Sequence, residues 1–455
     1  MRLNGAVSDL SELRELVAQG AEQVGVPGVA IGLLVDGEEH YVCHGVTSVE
    51  NPLTVDERTL FHIGSTTKTM TATLVMRLVE RGLIDLDATV RTYLPDFGVK
   101  DEDASSRVTV RQTLNHTAGW DGDFFLDTGT GDDALARYVD AMSSLNQTSE
   151  FGGDASYNNA SFSVAGRIVE VVTGGTFEQA MRTDVLDPIG MHETFSFLRD
   201  VITRRFVVGH RRDGNATVVA RPYDMSRGNG PAGDLISTAP DQLRYARFHM
   251  GDGDGILSPE TMRLMQTPSA SFSTEGSVGL AWMINDHEGV RFVSHGGTTI
   301  GQQSTFEMVP ERGYALTILS NAHHASVLNA EIAKYVHATF LGIVEREPEP
   351  IDIDPAALAE FAGTYERPEL FVTVSVDDSR LVFTTGYTEA GREQVLKELG
   401  TLIPLPDPFG VHIVGPDEYF AYEGDYKGLR GKFLRSDDRR ITGIDLGGRI
   451  ANRVG

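Results

Sequence analysis

Two strand-hairpin signals stand at opposite ends of the first 345 residues, and most of what lies between them reads as helical. The first is Val29-Ala30-Ile31-Gly32-Leu33-Leu34-Val35, an unbroken apolar run followed by Asp36-Gly37. Such a run without alternation is expected of a strand buried on both faces, and Asp-Gly is a strong two-residue hairpin signal. The second lies at about 291 to 322, where Arg312-Gly313 separates Phe306-Glu307-Met308 from Leu316-Thr317-Ile318-Leu319. Apolar residues at helical spacing precede the first signal at about 8 to 24 (Leu10, Leu13, Leu16, Val17, Ala21). They recur from Thr66 to Arg81 (Ala72, Val75, Leu78, Val79), with Gly82 as a stop. A further helix is predicted within 156 to 190, ending at Asp187-Pro188-Ile189-Gly190-Met191, and another follows the second signal to about 341. One sheet drawn from both ends, with a helical region inserted between them, satisfies this order: an α/β (α+β) fold.

At 455 residues the chain is longer than one ordinary domain. Glu345-Arg346-Glu347-Pro348-Glu349-Pro350 is charged and proline-bearing, and reads as an extended, solvated linker. Beyond it, Pro355 to Phe361 is a short helix. Period-two alternation follows in Phe371-Val372-Thr373-Val374-Ser375-Val376 and Arg380-Leu381-Val382-Phe383, with Asp/Gly turns. The expected division is residues 1–345, a linker at 346–354, and a small antiparallel β-barrel or sandwich over 355–455.

Composition narrows the function by exclusion. With 39 Lys and Arg against 65 Asp and Glu, the net charge is −26. No cationic excess is left to neutralise phosphates, which argues against nucleic acid and anionic membranes as partners. The single cysteine, Cys43, rules out an intramolecular disulfide and a cysteine-based zinc site; its apolar, strand-like setting suggests a buried structural thiol. His-Glu-x-x-His and Gly-x-x-x-x-Gly-Lys patterns are absent, so neither a metal nor a cofactor is expected. No run is apolar for long enough to suggest a membrane span, and Met1-Arg2-Leu3-Asn4-Gly5 does not begin a signal peptide, so a cytoplasmic protein is the default expectation.

Three short segments carry chemistry. In Ile63-Gly64-Ser65-Thr66-Thr67-Lys68, Ser65 stands at the start of a predicted helix, and an offset of three puts Lys68 over the same face. A serine hydroxyl is a poor nucleophile until a base takes its proton, and a desolvated lysine with a lowered pKa can do so. Of the six lysines only Lys68 has a serine at that offset, although Ser-x-x-Lys alone also fits a helix cap followed by a surface lysine. In Ser156-Tyr157-Asn158-Asn159, the phenol can shuttle a proton and the Asn159 amide can bind Lys68 or a substrate amide; an interior aromatic and a helix cap are the plainer reading. Val293-Ser294-His295-Gly296-Gly297-Thr298 reads as a strand that a substrate can approach closely because of its glycines. There the Thr298 amide is placed to join that of Ser65 in an oxyanion hole, with His295 donating to substrate or adjusting the relay, unless it is only a turn feature. Ile63, two residues before Ser65, rules out the Gly-x-Ser-x-Gly elbow of an α/β-hydrolase.

In combination, Ser65-Thr66-Thr67-Lys68, Tyr157-Asn158-Asn159 and His295-Gly296-Gly297 resemble, in order and broad spacing, the motifs of the beta-lactamase-like serine hydrolases. That superfamily includes class C beta-lactamases, penicillin-binding proteins, esterases and D-aminopeptidases. Supporting segments are Leu114-Asn115-His116-Thr117-Ala118-Gly119, Leu186 to Met191, and Pro231-Ala232-Gly233-Asp234-Leu235-Ile236-Ser237-Thr238. The resemblance covers roughly residues 10 to 340. It implies a site between sheet and helical region, with Ser65 as nucleophile and Lys68 and Tyr157 as the general-base system. Asn159, His295, Gly296, Gly297 and Thr298 would line it. Residues 355–455, opening with Phe361-Ala362-Gly363-Thr364-Tyr365-Glu366, look like the lipocalin-like barrel appended to some relatives, which can border the active site.

Two departures bear on substrate. Many relatives carry Lys where His295 stands, and that Lys helps hold a substrate carboxylate; His is similar to what D-aminopeptidases and some esterases of the group have. Asp234 replaces a small residue often found there. Near the C-terminus, Arg449 and Arg453 offer cations to a substrate carboxylate or, more simply, are solvated surface residues. The expected function is hydrolysis of an ester, amide or peptide bond in a small-molecule or peptide substrate. Acyl transfer to an amine, as in a peptide cyclase, is the rival within enzymes, and a non-catalytic binding protein on the same fold is the rival outside them.

Overall fold

The structure is a computed structural model that describes residues 10–454 except 215, 273–275, 345, 400–401, 403–404 and 424–425. The amino-terminal residues Met1–Gly5 and linker residue 345 therefore lie outside what is described.

The main sheet is antiparallel throughout its described pairs. From one edge its strands are Glu38–Gly45, Gly28–Val35, Tyr314–Ser320, Gln302–Val309, Val290–Ser294, Met283–His287, Gly276–Val278 and Ala270–Phe272, with Gly297–Thr299 pairing beside Gln302–Val309. The early hairpin thus docks against a strand nearly three hundred residues later, Ile31 lying opposite Ile318. Asp36 and Gly37, both at positive φ, form the two-residue turn.

Both faces of the sheet are covered, which explains the unbroken apolar run. Val29, Ile31, Leu33 and Val35 face one core with the helices Ser11–Val24 and Ser326–Val336. Ala30 and Leu34 face the other, which continues into the helical region. At its centre is the helix Thr67–Glu80, buried along nearly its whole length, with the helix Ala160–Thr173 packed against it. An all-round buried helix gives a weak amphipathic signal but a firm platform for whatever stands at its start.

The stretch 156–190 holds more than the one predicted helix. Ala160–Thr173 ends at Gly174 in the left-handed conformation, and Phe177 begins a second helical run that continues through Ile189. The segment 293–298 is also not one strand: Val290–Ser294 stops before His295-Gly296, and Gly297–Thr299 starts again.

The C-terminal strands, from Gly363 to Val454, close into an eight-stranded antiparallel barrel. Tyr365, Val372, Val374, Leu381, Phe383, Val411, Tyr419, Phe433 and Ile444 fill its interior. It carries a helix, Glu389–Leu399, that period-two reasoning did not anticipate. The predicted linker is irregular and mostly exposed, with two bonds to the barrel. Ile351 N–H donates to Ile413 O at 2.9 Å, and Pro348 O accepts from Tyr422 Oη, which fasten it to the barrel.

Candidate active site

Ser65 lies in the single 3₁₀ turn Gly64–Thr66 that leads into the buried helix Thr67–Glu80. Gly64 sits at φ +52°, and a Cβ there would stand 2.8 Å from Thr298 N, so the turn can press against the Gly297–Thr299 strand only as glycine. Ser65 is partly exposed between buried neighbours, as a candidate nucleophile must be.

Lys68, one turn on, is completely buried. Its Nζ is 3.0 Å from Ser65 Oγ and donates to Ala232 O at 2.6 Å. The segment Gly230–Gly233 is held on this helix by Thr71 Oγ1, which donates to Pro231 O. Burial pushes the Lys68 ammonium well below its ordinary range; the Arg449 guanidinium pushes in the same direction, and the Asp123 carboxylate opposes it. Removing an ion from water costs several kcal/mol unless it is paired, so this setting favours the neutral amine over the ammonium.

Tyr157 completes the group: the Ser65 side chain is a neighbour that lowers the phenol pKa, and Lys68 Nζ is 5.0 Å from the centre of its ring. Burial raises the phenol pKa more than Ser65 and Arg449 lower it, so the phenol stays protonated. His116 stacks on the same ring at 4.6 Å, held at φ +62° with Nδ1 accepting the Asn158 N–H at 3.0 Å. The three polar groups named from sequence are therefore brought together. A hydroxyl, a phenol and an amine whose charged form is disfavoured by burial, gathered in one buried cluster, can pass a proton along with little buried net charge.

The remaining predicted residues fall around this trio in unequal ways. Gly297 abuts the Ser65 turn: a Cβ there would meet Ile63 O at 2.0 Å, and Ser304 Oγ donates to that same oxygen at 2.7 Å. Thr298 follows, with its hydroxyl donating to Gln303 Oε1. Gly296 is exposed at the break between the strands. His295 is buried, its ring centre 6.0 Å from that of Tyr157. Its Nδ1 lies 2.6 Å from Gly296 O, to which it donates, and Nε2 is buried without a partner. Burial, with Lys68 nearby, brings its pKa down to about 3, so His295 is neutral.

Asn159 does not reach Lys68 in the way its sequence position suggested. Its Nδ2 donates to Asp123 Oδ1 at 2.9 Å. Asp123 also accepts from Arg449 Nε at 2.6 Å and Nη2 at 3.0 Å, and from Arg367 Nη1 at 3.2 Å. Burial pushes the Asp123 carboxyl up, but these cations and the amide outweigh it and hold it at about 2. Arg449 is thus half-buried and paired, not freely solvated; its guanidinium lies 4.9 Å from the Tyr157 ring centre. Arg453 instead donates to Glu360 O and Ala362 O on the barrel's own periphery. Asp234 has its carboxyl pushed well up by burial and by Asp224 and Glu178 nearby. Asp123 and Arg367 carry no local pattern that would have assigned them roles, and the pairing of barrel and helical region brings them together; His116 lies in a segment that supported the resemblance but had no role assigned.

Cys43 is half-buried on the strand Glu38–Gly45, its thiol pushed up to about 12 by burial, and takes no part in this pocket. Among the described residues no group of three or more His, Cys, Asp or Glu is placed to hold a metal ion, and no helix is long and apolar enough to cross a membrane.

Comparison with known proteins gives this architecture a class. The model of the family described as Beta-lactamase matches residues 13–339, most of the chain, and the protein belongs to that family. Penicillin-binding protein 4 of Amycolatopsis lactamdurans is 35% identical over 362 residues, covering 75% of this chain and 93% of that protein. Two solved structures share the fold along nearly the whole chain, barrel included. The crystal structure of SurE superposes with TM-score 0.76 at 23% identity, covering 97% of this chain and 98% of that one. The octameric penicillin-binding protein homologue from Pyrococcus abyssi does so with TM-score 0.67 at 21% identity, covering 97% and 99%.

Proposed function

We propose that the protein is a serine hydrolase that forms an acyl-enzyme on Ser65 and cleaves ester, amide or peptide bonds. The observation that carries this reading is the 3.0 Å approach of the fully buried Lys68 amine, its pKa lowered by that burial, to Ser65 Oγ. The amine lone pair takes the hydroxyl proton as Oγ attacks the substrate carbonyl, while Nζ stays fixed by Ala232 O. The amides of Ser65 and Thr298 receive the oxyanion, a role supported by the close packing of Gly64 and Gly297 between them. Collapse of the tetrahedral species breaks the bond to the leaving group, which takes a proton from the Tyr157 phenol; Lys68 then returns its proton to the phenolate through the same network. In the second half-reaction a water loses its proton to this network and attacks the ester carbonyl, and Ser65 Oγ leaves as a hydroxyl.

His295 stands where a cation would be needed to grip a substrate carboxylate, and it is neutral. Simple acyl compounds without that carboxylate are the favoured substrates over beta-lactams. Mixing the enzyme rapidly with a p-nitrophenyl ester tests the reading: a burst of nitrophenol equal to the enzyme concentration is expected, and linear release without a burst or adduct counts against it. Adding amines during turnover separates hydrolysis from acyl transfer, since an acceptor enzyme would yield amide product in place of free acid.

A further inference from the structure

The last turn of the C-terminal barrel reaches into the site just described. We infer that Gly447-Gly448-Arg449 is the positioning element for Tyr157 and Asn159, so that the catalytic pocket is complete only when the barrel is seated. This rests on the serine-hydrolase reading and adds to it a residue that acts through others.

The contacts are to the motif itself. Gly448 O accepts the Tyr157 N–H at 2.8 Å, and the Ile450 N–H donates to Ser156 Oγ at 3.2 Å, so the backbone on either side of Arg449 is tied to the two residues that begin the motif. Gly448 is at φ +84°, and a Cβ on it would stand 2.4 Å from the Phe272 ring. No other residue type fits that approach without displacing Phe272. Asp445 Oδ1 fixes the turn from the barrel side by accepting the Gly448 N–H at 2.7 Å.

Arg449 then acts on both functional side chains at once. Its guanidinium lies against the Tyr157 ring at 4.9 Å, and its Nε and Nη2 grip the two oxygens of Asp123, whose Oδ1 also orients the Asn159 amide. A forked, charge-assisted pair is specific in direction as well as strong, and a cation against an aromatic face limits ring motion. Mere docking would not need this geometry. Asn452 Nδ2, which donates to Thr148 O at 2.7 Å, and Lys432, 3.5 Å from Asp154, join barrel to helical region without touching phenol or amide.

The charged and titratable groups around Lys68 are Tyr157, His116, His295, Asp123 and Arg449, with Arg367 behind Asp123. Arg449 lowers the Lys68 pKa and Asp123 raises it, so loss of the guanidinium charge moves Lys68 upward and leaves less neutral amine at a given pH.

The test measures the rate of Ser65 labelling by a fluorophosphonate, followed by intact mass on the full chain across pH, in the parent, Arg449→Gln, Arg449→Lys and Asn452→Ala. Thermal unfolding checks that each variant is folded. Arg449→Gln should label about 10- to 100-fold more slowly, as expected for a misplaced catalytic group, with the pH midpoint displaced upward. Arg449→Lys, which keeps the charge but not the fork, should lose less rate and keep the midpoint. Asn452→Ala should stay within about 3-fold of the parent, because it loosens docking alone. A parent-like rate and midpoint in Arg449→Gln, or an equal loss in Asn452→Ala, overturns the positioning role while leaving the hydrolase reading intact. An unlabelled parent removes both.

Discussion

Lys68 Nζ and Ala232 O are 2.6 Å apart, a hydrogen bond that joins residues far apart in sequence and aims the amine at Ser65. One N–H of the amine is committed to this carbonyl, which holds Nζ 3.0 Å from the serine hydroxyl. The carbonyl is supplied by Gly230–Gly233, itself packed on the helix that carries Lys68. Chemistry in this pocket therefore depends on backbone placement as much as on the side chains.

A consequence concerns pH. Lys68 must be neutral to accept a proton, and burial together with Arg449 holds its pKa well below the lysine value. The acid limb of kcat/KM should then fall well below pH 10, with activity rising as pH increases through it. His295, at about 3, and His116, held well below its ordinary value by burial, are neutral throughout that range. His295→Gln should leave the limb where it is and reduce turnover only about 10-fold or less. A limb that moves with the histidine would assign the titration to His295.

Glu369 makes the junction between barrel and helical region sensitive to alkali. It faces Asp121, Asp123 and Arg367, with Oε2 3.7 Å from Arg367 Nε, and burial followed by the two aspartates pushes its carboxyl up to about 8. A folded-state pKa above the unfolded value means the folded protein holds a proton that the unfolded chain releases. The contribution is full below the unfolded pKa near 4.5 and is lost as pH rises through about 8. Lys68 titrates with the opposite sign, so the difference between variant and parent is the informative quantity. Glu369→Gln should gain about 1–3 kcal/mol relative to the parent between pH 5 and 9, read by denaturant unfolding at each pH. A pH-independent difference would contradict the assignment.

Gly297→Ala tests the seam between the serine turn and the strand. The added carbon meets Ile63 O at 2.0 Å, a backbone atom that cannot swing aside. Overpacking of this kind costs about 1–3 kcal/mol, and the displaced Ser65 turn should lower acylation about 100-fold. Gly37→Ala on the surface hairpin, where a Cβ meets nothing within 4 Å, should lose stability through its positive φ while acylating normally. Equal acylation by the two variants would dissociate the seam from catalysis.

What could be read from the sequence was whatever is written in short contiguous segments. Ser65 and Lys68 share a helical turn, Tyr157 and Asn159 share one loop-to-helix junction, and the double-sided strand Gly28–Val35 shows its burial residue by residue. Asp123 and Arg449, in contrast, meet across 326 residues, and neither flank contains a pattern. Arg449 looked like a surface cation because a hairpin tip is normally solvated; here the tip is capped by another part of the chain. The break at His295-Gly296 escaped notice because the apolar alternation on both sides suggests one strand, whereas the ring turns back to its own neighbour's carbonyl at Gly296. The barrel helix Glu389–Leu399 follows directly on a strand; Thr388 caps it, its Oγ1 accepting the Gly391 N–H at 2.9 Å, but a glycine in the first turn blurs the signal.

The most direct test of the account is the intact mass of the full chain, and of Lys68→Ala, after brief exposure to a fluorophosphonate at neutral pH. One adduct is expected on the parent, mapped to the peptide containing Ser65, with a labelling rate at least about 100-fold lower in Lys68→Ala. An unmodified Ser65 in the folded parent, or equal labelling of the two proteins, would contradict it.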